Sequence, residues 1–176
     1  GEGLVFRQCI ETWQAQFAGS GLRLAVENKA IRYELQRAYA LTPLERLRAF
    51  ADRYDLGLVL DTTHAGTAGD DLLQARRLFD GRLAEVHVSD LGRRLDRLSL
   101  PRIRSIVNEH RFPGSGNLAL SPLLADLAGD GYDGPLTLEV SPQALRIWWP
   151  PAVRRRLALA AAWMRGAAKE GRRRDG

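Results

Sequence analysis

The sequence predicts an α/β fold of parallel strands connected by helices. Two observations carry that expectation. Short apolar runs alternate four times with longer segments of helical period, and one of those runs, Leu56 to Leu60, has no polar residue at all. Strand–helix alternation implies parallel strands joined by right-handed crossovers. A strand without a polar face is one covered on both sides, as in a parallel sheet flanked by helices.

The elements follow in order. Leu4, Val5, Cys9, Ile10, Trp13 and Phe17 recur at helical spacing until Gly19-Ser20-Gly21 interrupts them. Leu22 to Val26 reads as a short strand running into Glu27-Asn28. After an irregular stretch, Thr42-Pro43 is expected to open a helix, with Thr42 as N-cap, proline at the first helical position and Glu45 completing a capping box. Leu44, Leu47, Phe50, Ala51 and Tyr54 form its apolar stripe. The apolar strand then delivers Asp61. Asp70 or Asp71 starts the next helix, which Gly81 ends, and Leu83 to Val88 forms a third strand carrying His87. A basic connection from Leu91 to Val107 precedes a helix opened by Ser121-Pro122. Gly134-Pro135 turns into a last strand, Leu136 to Val140, that contains Glu139. A final helix runs from about Pro151 to Ala168. An eight-stranded α/β barrel takes about 250 residues, roughly 31 per strand–helix unit, so four units amount to half of a TIM (β/α)8 barrel. Residues 1–168 are expected to form this half-barrel and residues 169–176 a basic disordered tail.

Bulk properties narrow the function classes. The chain has 176 residues, of which 45% are hydrophobic, enough for one buried core. No apolar run approaches the roughly 20 residues that cross a bilayer, and the N-terminus has no basic-then-apolar signal pattern. Membrane residence is not expected, and a cytoplasmic setting is. The first residue is glycine and the only methionine is Met164, so the chain is expected to start downstream of its natural beginning. A single cysteine, Cys9, allows no internal disulfide and reads as a core residue of the first helix. The net charge of +5 is unevenly placed: arginines concentrate between Arg93 and Arg104, at Arg154–Arg156 and at Arg172–Arg174. The first cluster suits phosphate contacts, and the other two read as solvated surface and tail.

The chemistry lies at the strand ends. Each of the four strands finishes on an acid or an imidazole: Glu27, Asp61, His87 and Glu139. In an α/β barrel the C-terminal strand ends converge on one mouth. Three carboxylates and an imidazole meeting there are costly to desolvate unless protonated or bound to a cation. An oxygen-rich set with one nitrogen suits Mn²⁺, Mg²⁺ or Co²⁺ better than Zn²⁺. Singly, each residue has an ordinary explanation, since an acid after a strand caps the following helix and a lone histidine is commonly structural. The agreement of four successive strand ends is what points to a site. His64, three residues beyond Asp61, and His110, heading His110-Arg111-Phe112-Pro113-Gly114-Ser115-Gly116, are expected in loops at the same mouth.

Leu24-Ala25-Val26-Glu27-Asn28, Leu60-Asp61-Thr62-Thr63-His64, Val86-His87-Val88-Ser89-Asp90, the His110–Gly116 segment with Asn117, and Gly134-Pro135-Leu136-Thr137-Leu138-Glu139 resemble, in order and spacing, signatures of the xylose-isomerase-like superfamily. The resemblance runs from about Leu4 to Trp163 and implies the C-terminal half of such a barrel. That superfamily contains sugar and sugar-phosphate isomerases and epimerases, inosose dehydratases and the endonuclease IV class. What it implies here is a divalent-metal-dependent isomerase or epimerase acting on a sugar or sugar phosphate by proton transfer through an enediolate. Glu27, Asp61, His87 and Glu139 match the metal ligands, Glu27 and Glu139 the catalytic base and acid, and His64, Arg93 and His110 substrate-binding positions. Gly114 and Gly116 are expected to bring the loop backbone close to the ligand. An endonuclease IV-like phosphodiesterase acting on abasic DNA is the alternative. That branch has an aspartate two residues before the histidine matched by His110, where this chain has Asn108, so nucleic acid is not the expected partner. A further alternative is an inert fragment. Open sheet edges invite association, so a second copy or an N-terminal half-barrel is expected beside the small-molecule sugar.

Overall fold

The computed structural model describes residues 2–92 and 106–174. Helix α1 (Glu2–Gln16) leads to strand β1 (Ala25–Glu27), then α2 (Leu44–Arg53), β2 (Gly57–Asp61), α3 (Thr62–Ala68), α4 (Leu72–Leu78), β3 (Leu83–Val88), α5 (Leu120–Gly129), β4 (Leu136–Leu138), α6 (Pro142–Leu145) and α7 (Pro150–Arg174). The four strands form one parallel sheet in the order β1-β2-β3-β4, so each crossover connects immediate neighbours. This is the half-barrel topology that the alternation predicts.

Register decides what each face of the sheet does. Glu27 pairs with Val59, Asp61 with His87 and His87 with Thr137. Paired residues point to the same side, and side chains alternate along a strand. Glu27, Asp61, Glu85, His87 and Thr137 therefore share one face. Glu139, whose N–H still bonds the Val88 carbonyl at 3.2 Å, extends it. The opposite face carries Leu58, Leu60, Val86 and Val88, all with 0% exposure. Against them pack Leu47 and Ala51 of α2, Ala75 of α4, and Leu123, Leu124 and Leu127 of α5, with Phe79 just beyond α4. Burying each such leucine contributes about 1.5–3 kcal/mol. The helices thus cover one face and leave the polar one as the inner wall. Only β2 is buried along its whole length, whereas Glu27 and Thr137 on the marginal strands are exposed. Gly57 on the inner face sits where a Cβ would come within 2.9 Å of the Ala84 Cβ and 3.2 Å of the Ala25 Cβ, so three strands approach there more closely than a side chain allows.

Several local expectations are corrected. Thr42 does not cap α2: its hydroxyl donates to the Gln36 carbonyl at 2.8 Å, closing the 3-10 turn Glu34–Ala38, and Pro43 takes the N-cap position without a side-chain bond. Of the two candidate caps, Asp71 starts α4, accepting from Gln74 N–H at 2.9 Å. Cys9 is exposed. Its neighbour Ile10 is buried, and one residue is a rotation of about 100°. The last helix continues through residues 169–174, expected to be a tail; Ala167, Ala168, Lys169 and Glu170 are all good helix formers. Among the described residues no helix is long and apolar enough to cross a membrane.

Candidate metal centre

The staggered register brings the four strand ends together. Glu27, Asp61, His87 and Glu139 each offer a ligand atom, and these atoms all lie within 4.8 Å of one another. Asp61 is the innermost, with 0% exposure. Its two oxygens have separate tasks. Oδ1 accepts from the His64 N–H at 2.6 Å as the N-cap of α3, while Oδ2 is buried with no hydrogen-bond partner among the described residues. The capping role and a ligand role are therefore compatible in one carboxylate. His87 Nδ1 is also buried without an aligned partner, although Glu139 Oε2 lies 2.9 Å and Glu27 Oε1 3.5 Å away. An orphaned carboxylate oxygen beside an orphaned imidazole nitrogen fits a divalent cation, which satisfies both.

A supporting layer holds these groups. His87 Nε2 lies 3.4 Å from Glu85 Oε1, and Thr137 donates a short hydrogen bond to the same Glu85 oxygen. That contact aims Nδ1 at the cluster. Glu85 stands two residues before His87, on the same strand face, a spacing from which sequence reading could have found it. Asn28, 2% exposed, donates to the Asp61 carbonyl at 3.0 Å and accepts from the Asp61 N–H at 2.7 Å. Its own carbonyl lies 2.9 Å from His64 Nδ1. Neither role of Asn28 has a sequence signal beyond its place after Glu27.

His64 and His110 correct one expectation: His64 lies in the first turn of α3 rather than in a loop. Both reach the mouth, their rings edge to face with centroids 5.4 Å apart. His64 Nδ1 is 3.1 Å from Glu27 Oε1 and 4.0 Å from Asp61 Oδ1. Asp61, His64 and His110 also offer ligand atoms within 4.8 Å of one another. His110 adopts a left-handed backbone (φ 49°), and its Nδ1 lies 3.3 Å from Ser89 Oγ. Ser89 is buried and shares a hydrogen bond of 2.8 Å with Thr63 Oγ1, while Thr62 Oγ1 donates to the Ser89 carbonyl at 2.6 Å. The adjacent Glu109 is clamped by Arg32, with Nε and Nη2 at 2.9 and 2.7 Å from Oε2. Arg93 lies outside the described residues, as does the whole basic cluster to Arg104.

The glycine-rich loop is shaped by the protein itself. A Cβ at Gly116 would collide with the Asp90 carboxylate and the Leu91 carbonyl, and one at Gly114 (φ 79°) would come within 2.9 Å of Trp163 Nε1. Asp90, 1% exposed, gathers the N–H groups of Leu91, Gly116 and Leu118 at 2.8–3.1 Å. Both glycines thus admit Asp90 and Trp163, where a ligand was expected.

Electrostatics mark the cluster as short of positive charge. Burial raises the Asp61 carboxyl to about 6, opposed by the charge of His64. Burial alone would lower His64, but its hydrogen bond to Glu27 and the Asp61 charge raise it to about 9. Burial would likewise raise Glu27; the hydrogen bond and charge of His64, with those of His87, hold it below the usual carboxylate value. The Glu27 and Asp61 carboxylates thus favour the charged form of His64.

Residues 5–166 match the family described as xylose isomerase-like TIM barrel. The chain belongs to this family. Within the xylose isomerase-like family, it is 31% identical over 146 residues to an uncharacterized protein of Mycobacterium bovis, covering 73% of this chain and 48% of that one. The chain therefore spans about half the length of the curated relatives it matches. Solved structures of similar fold include an L-ribulose 3-epimerase (22% identity, TM-score 0.59, 88% of this chain and 50% of that one). A D-psicose 3-epimerase from Clostridium cellulolyticum H10 in complex with D-tagatose is 18% identical with a TM-score of 0.65, covering 90% and 55%. A 3-keto-D-glucoside 4-epimerase from E. coli is 20% identical with a TM-score of 0.59, covering 87% and 51%.

Proposed function

We propose that the complete protein is a divalent-metal-dependent sugar epimerase or isomerase whose proton-transfer groups are Glu27 and Glu139. The observation that carries this reading is the buried Asp61 Oδ2, without a hydrogen-bond partner among the described residues, at the centre of the four strand-end ligands. The epimerases among the fold's solved relatives support the reaction class. Glu27, Asp61, His87 and Glu139 would hold the cation, with Mn²⁺, Mg²⁺ or Co²⁺ preferred for an oxygen-rich set. When bound, it supplies polarisation of a sugar hydroxyl and its neighbouring carbonyl, which acidifies the carbon-bound proton.

The residues of the chain do the rest. Glu27 ends the marginal strand β1, Glu139 follows the other marginal strand β4, and the two approach a sugar from two sides. One carboxylate removes the proton from carbon, an enediolate forms, and the other returns a proton from the opposite side, inverting that carbon. His64 keeps Glu27 ionised, as a general base requires. His64 and His110 face the mouth as hydrogen-bonding groups for sugar oxygens. The outer edges of β1 and β4 are unpaired among the described residues, and we infer that a further half-barrel, from a longer chain or a partner, completes the pocket wall.

The deciding experiment uses the complete enzyme with a panel of ketoses, their phosphates and Mn²⁺. Glu27→Gln and Glu139→Gln are each expected to abolish turnover and incorporation of solvent deuterium at the reacting carbon. Normal turnover by both variants would defeat the assignment. One observation favours a second reading: Asp61, His64 and His110 form another ligand group beside the first, suited to a phosphodiesterase with more than one cation. Asn108 supplies only an amide where that reading calls for a carboxylate. Cleavage of abasic-site DNA at nanomolar protein would reverse the ranking.

A further inference from the structure

Beside the mouth, past the end of β4, lies a cavity of about 410 Å³ lined by Arg111, Arg146 and Arg156 together with Phe112, Ser115 and Ser141. Among the described residues no carboxylate lines it. None of the three arginines pairs with an acid among the described residues, whereas Arg76 and Arg82 are each shared between two aspartates. Three guanidiniums around one hollow repel one another, and an anion relieves that repulsion.

The arginines are set in place by the fold. Arg111 exchanges backbone hydrogen bonds of 2.9 and 2.8 Å with Asp90, and its guanidinium lies over Gly92, where a Cβ would come within 2.6 Å of it. Arg156 stacks on Phe112 with its Cζ 4.8 Å from the ring centroid, and its Nε is buried with no hydrogen-bond partner among the described residues. Arg146 ends α6 in a left-handed conformation (φ 54°). Ser141 Oγ accepts from the Ala144 N–H at 3.2 Å and keeps its own proton to donate. The cavity thus offers forked donors, a buried orphan donor and a free hydroxyl, a combination matched to the oxygens of a phosphate monoester. It also adjoins the reacting centre: Ser141 lies two residues beyond Glu139 and donates its N–H to the His110 carbonyl at 2.7 Å, and Arg111 follows His110.

We propose that this cavity binds the phosphate group of a phosphorylated sugar whose reacting carbon lies at the Glu27–Glu139 cluster. The inference rests on the epimerase reading for the sugar, but on the arginines alone for the anion.

The test is calorimetric titration of the Mn²⁺-loaded chain with inorganic phosphate, a ketose and the corresponding ketose phosphate. Wild type and Arg146→Gln are compared, since the exposed Arg146 can be changed without opening the core. Expected are binding of inorganic phosphate, tighter binding of the ketose phosphate than of either simpler probe, and at least tenfold weaker binding of both phosphates by the variant, with an unaltered Mn²⁺ titration. Arg156→Lys, which keeps the charge and the stack but loses the fork, is expected to weaken both phosphates as well. Absent phosphate binding, equal binding by both variants, or a ketose phosphate no tighter than inorganic phosphate would each overturn the proposal. If the complete enzyme epimerises free and phosphorylated sugars equally well, the phosphate site falls and the epimerase reading stands. If the chain binds ketose phosphate as described but the enzyme epimerises no sugar, the reading falls instead.

Discussion

Asn28 and Asp61, 33 residues apart in sequence, exchange two hydrogen bonds: Asn28 Nδ2–H to the Asp61 carbonyl at 3.0 Å and Asp61 N–H to Asn28 Oδ1 at 2.7 Å. The amide side chain continues the β1–β2 ladder one step past the last strand residue and fixes the backbone from which the buried carboxylate projects. Asn28→Ala leaves a buried N–H and carbonyl without partners. The expected loss is about 1–3 kcal/mol of stability and about 10–100-fold in divalent-ion affinity. Thermal melts and a Mn²⁺ titration check both; unchanged Mn²⁺ affinity would remove Asn28 from the site.

Asp61→Asn separates the two tasks of one side chain. The asparagine oxygen can still cap α3, and a neutral amide no longer carries a charge that burial disfavours. The metal-free variant is expected to melt at or above the wild-type temperature, while the stabilisation given by Mn²⁺ disappears. A variant still stabilised by Mn²⁺ to the wild-type extent would place the cation elsewhere.

The pH dependence follows from His64 and Asp61. His64 is raised to about 9 from 6.5, because its contacts with Glu27 and Asp61 outweigh the opposing effect of burial. Its contribution is therefore fully present below pH 6.5 and lost as pH rises through 9. Asp61, raised by burial to about 6 from 3.8, acts with the same sign: the folded state holds the proton longer, so stability falls as pH rises from about 4 to 6. The metal-free protein is expected to lose melting temperature steadily between pH 5 and 9. A divalent ion that neutralises Glu27 and Asp61 returns His64 toward its ordinary value, so Mn²⁺ binding at pH 7.5 is expected to release protons. Titrations in two buffers of different ionisation enthalpy read this directly, and a zero proton count would contradict it.

Arg32 and Glu109 offer a test of the scaffold under His110. Glu109 has a side-chain exposure of 7% and Arg32 of 43%. Arg32→Ala strands a buried carboxylate and is expected to destabilise by about 3 kcal/mol, whereas Arg32→Ala with Glu109→Gln is expected to recover part of that loss. A double-mutant cycle in denaturant measures the coupling. Additive effects would show that the pair is not coupled.

What the sequence by itself determined was the four strands of the described sheet, to within a few residues at β1 and β4, and the polar residue at or beside the end of each. Strand–helix alternation, the apolar Leu56–Leu60 run and the four polar terminators are local properties of the chain, written in side-chain periodicity. They suffice to place Glu27, Asp61, His87 and Glu139 at the same end of the sheet. Helix α3 escaped notice because Thr62–Ala68 is short and has no apolar stripe; it is set by Asp61 as a cap. Only the tertiary structure decided the register that brings the ligand atoms within 4.8 Å, the service of Asn28 to Asp61, the Thr137–Glu85–His87 chain, and the gathering of three arginines around one cavity. Each of these joins residues from different strand–helix units, and hydrogen-bond geometry and desolvation act through space between groups whose separation along the chain carries no trace of the contact.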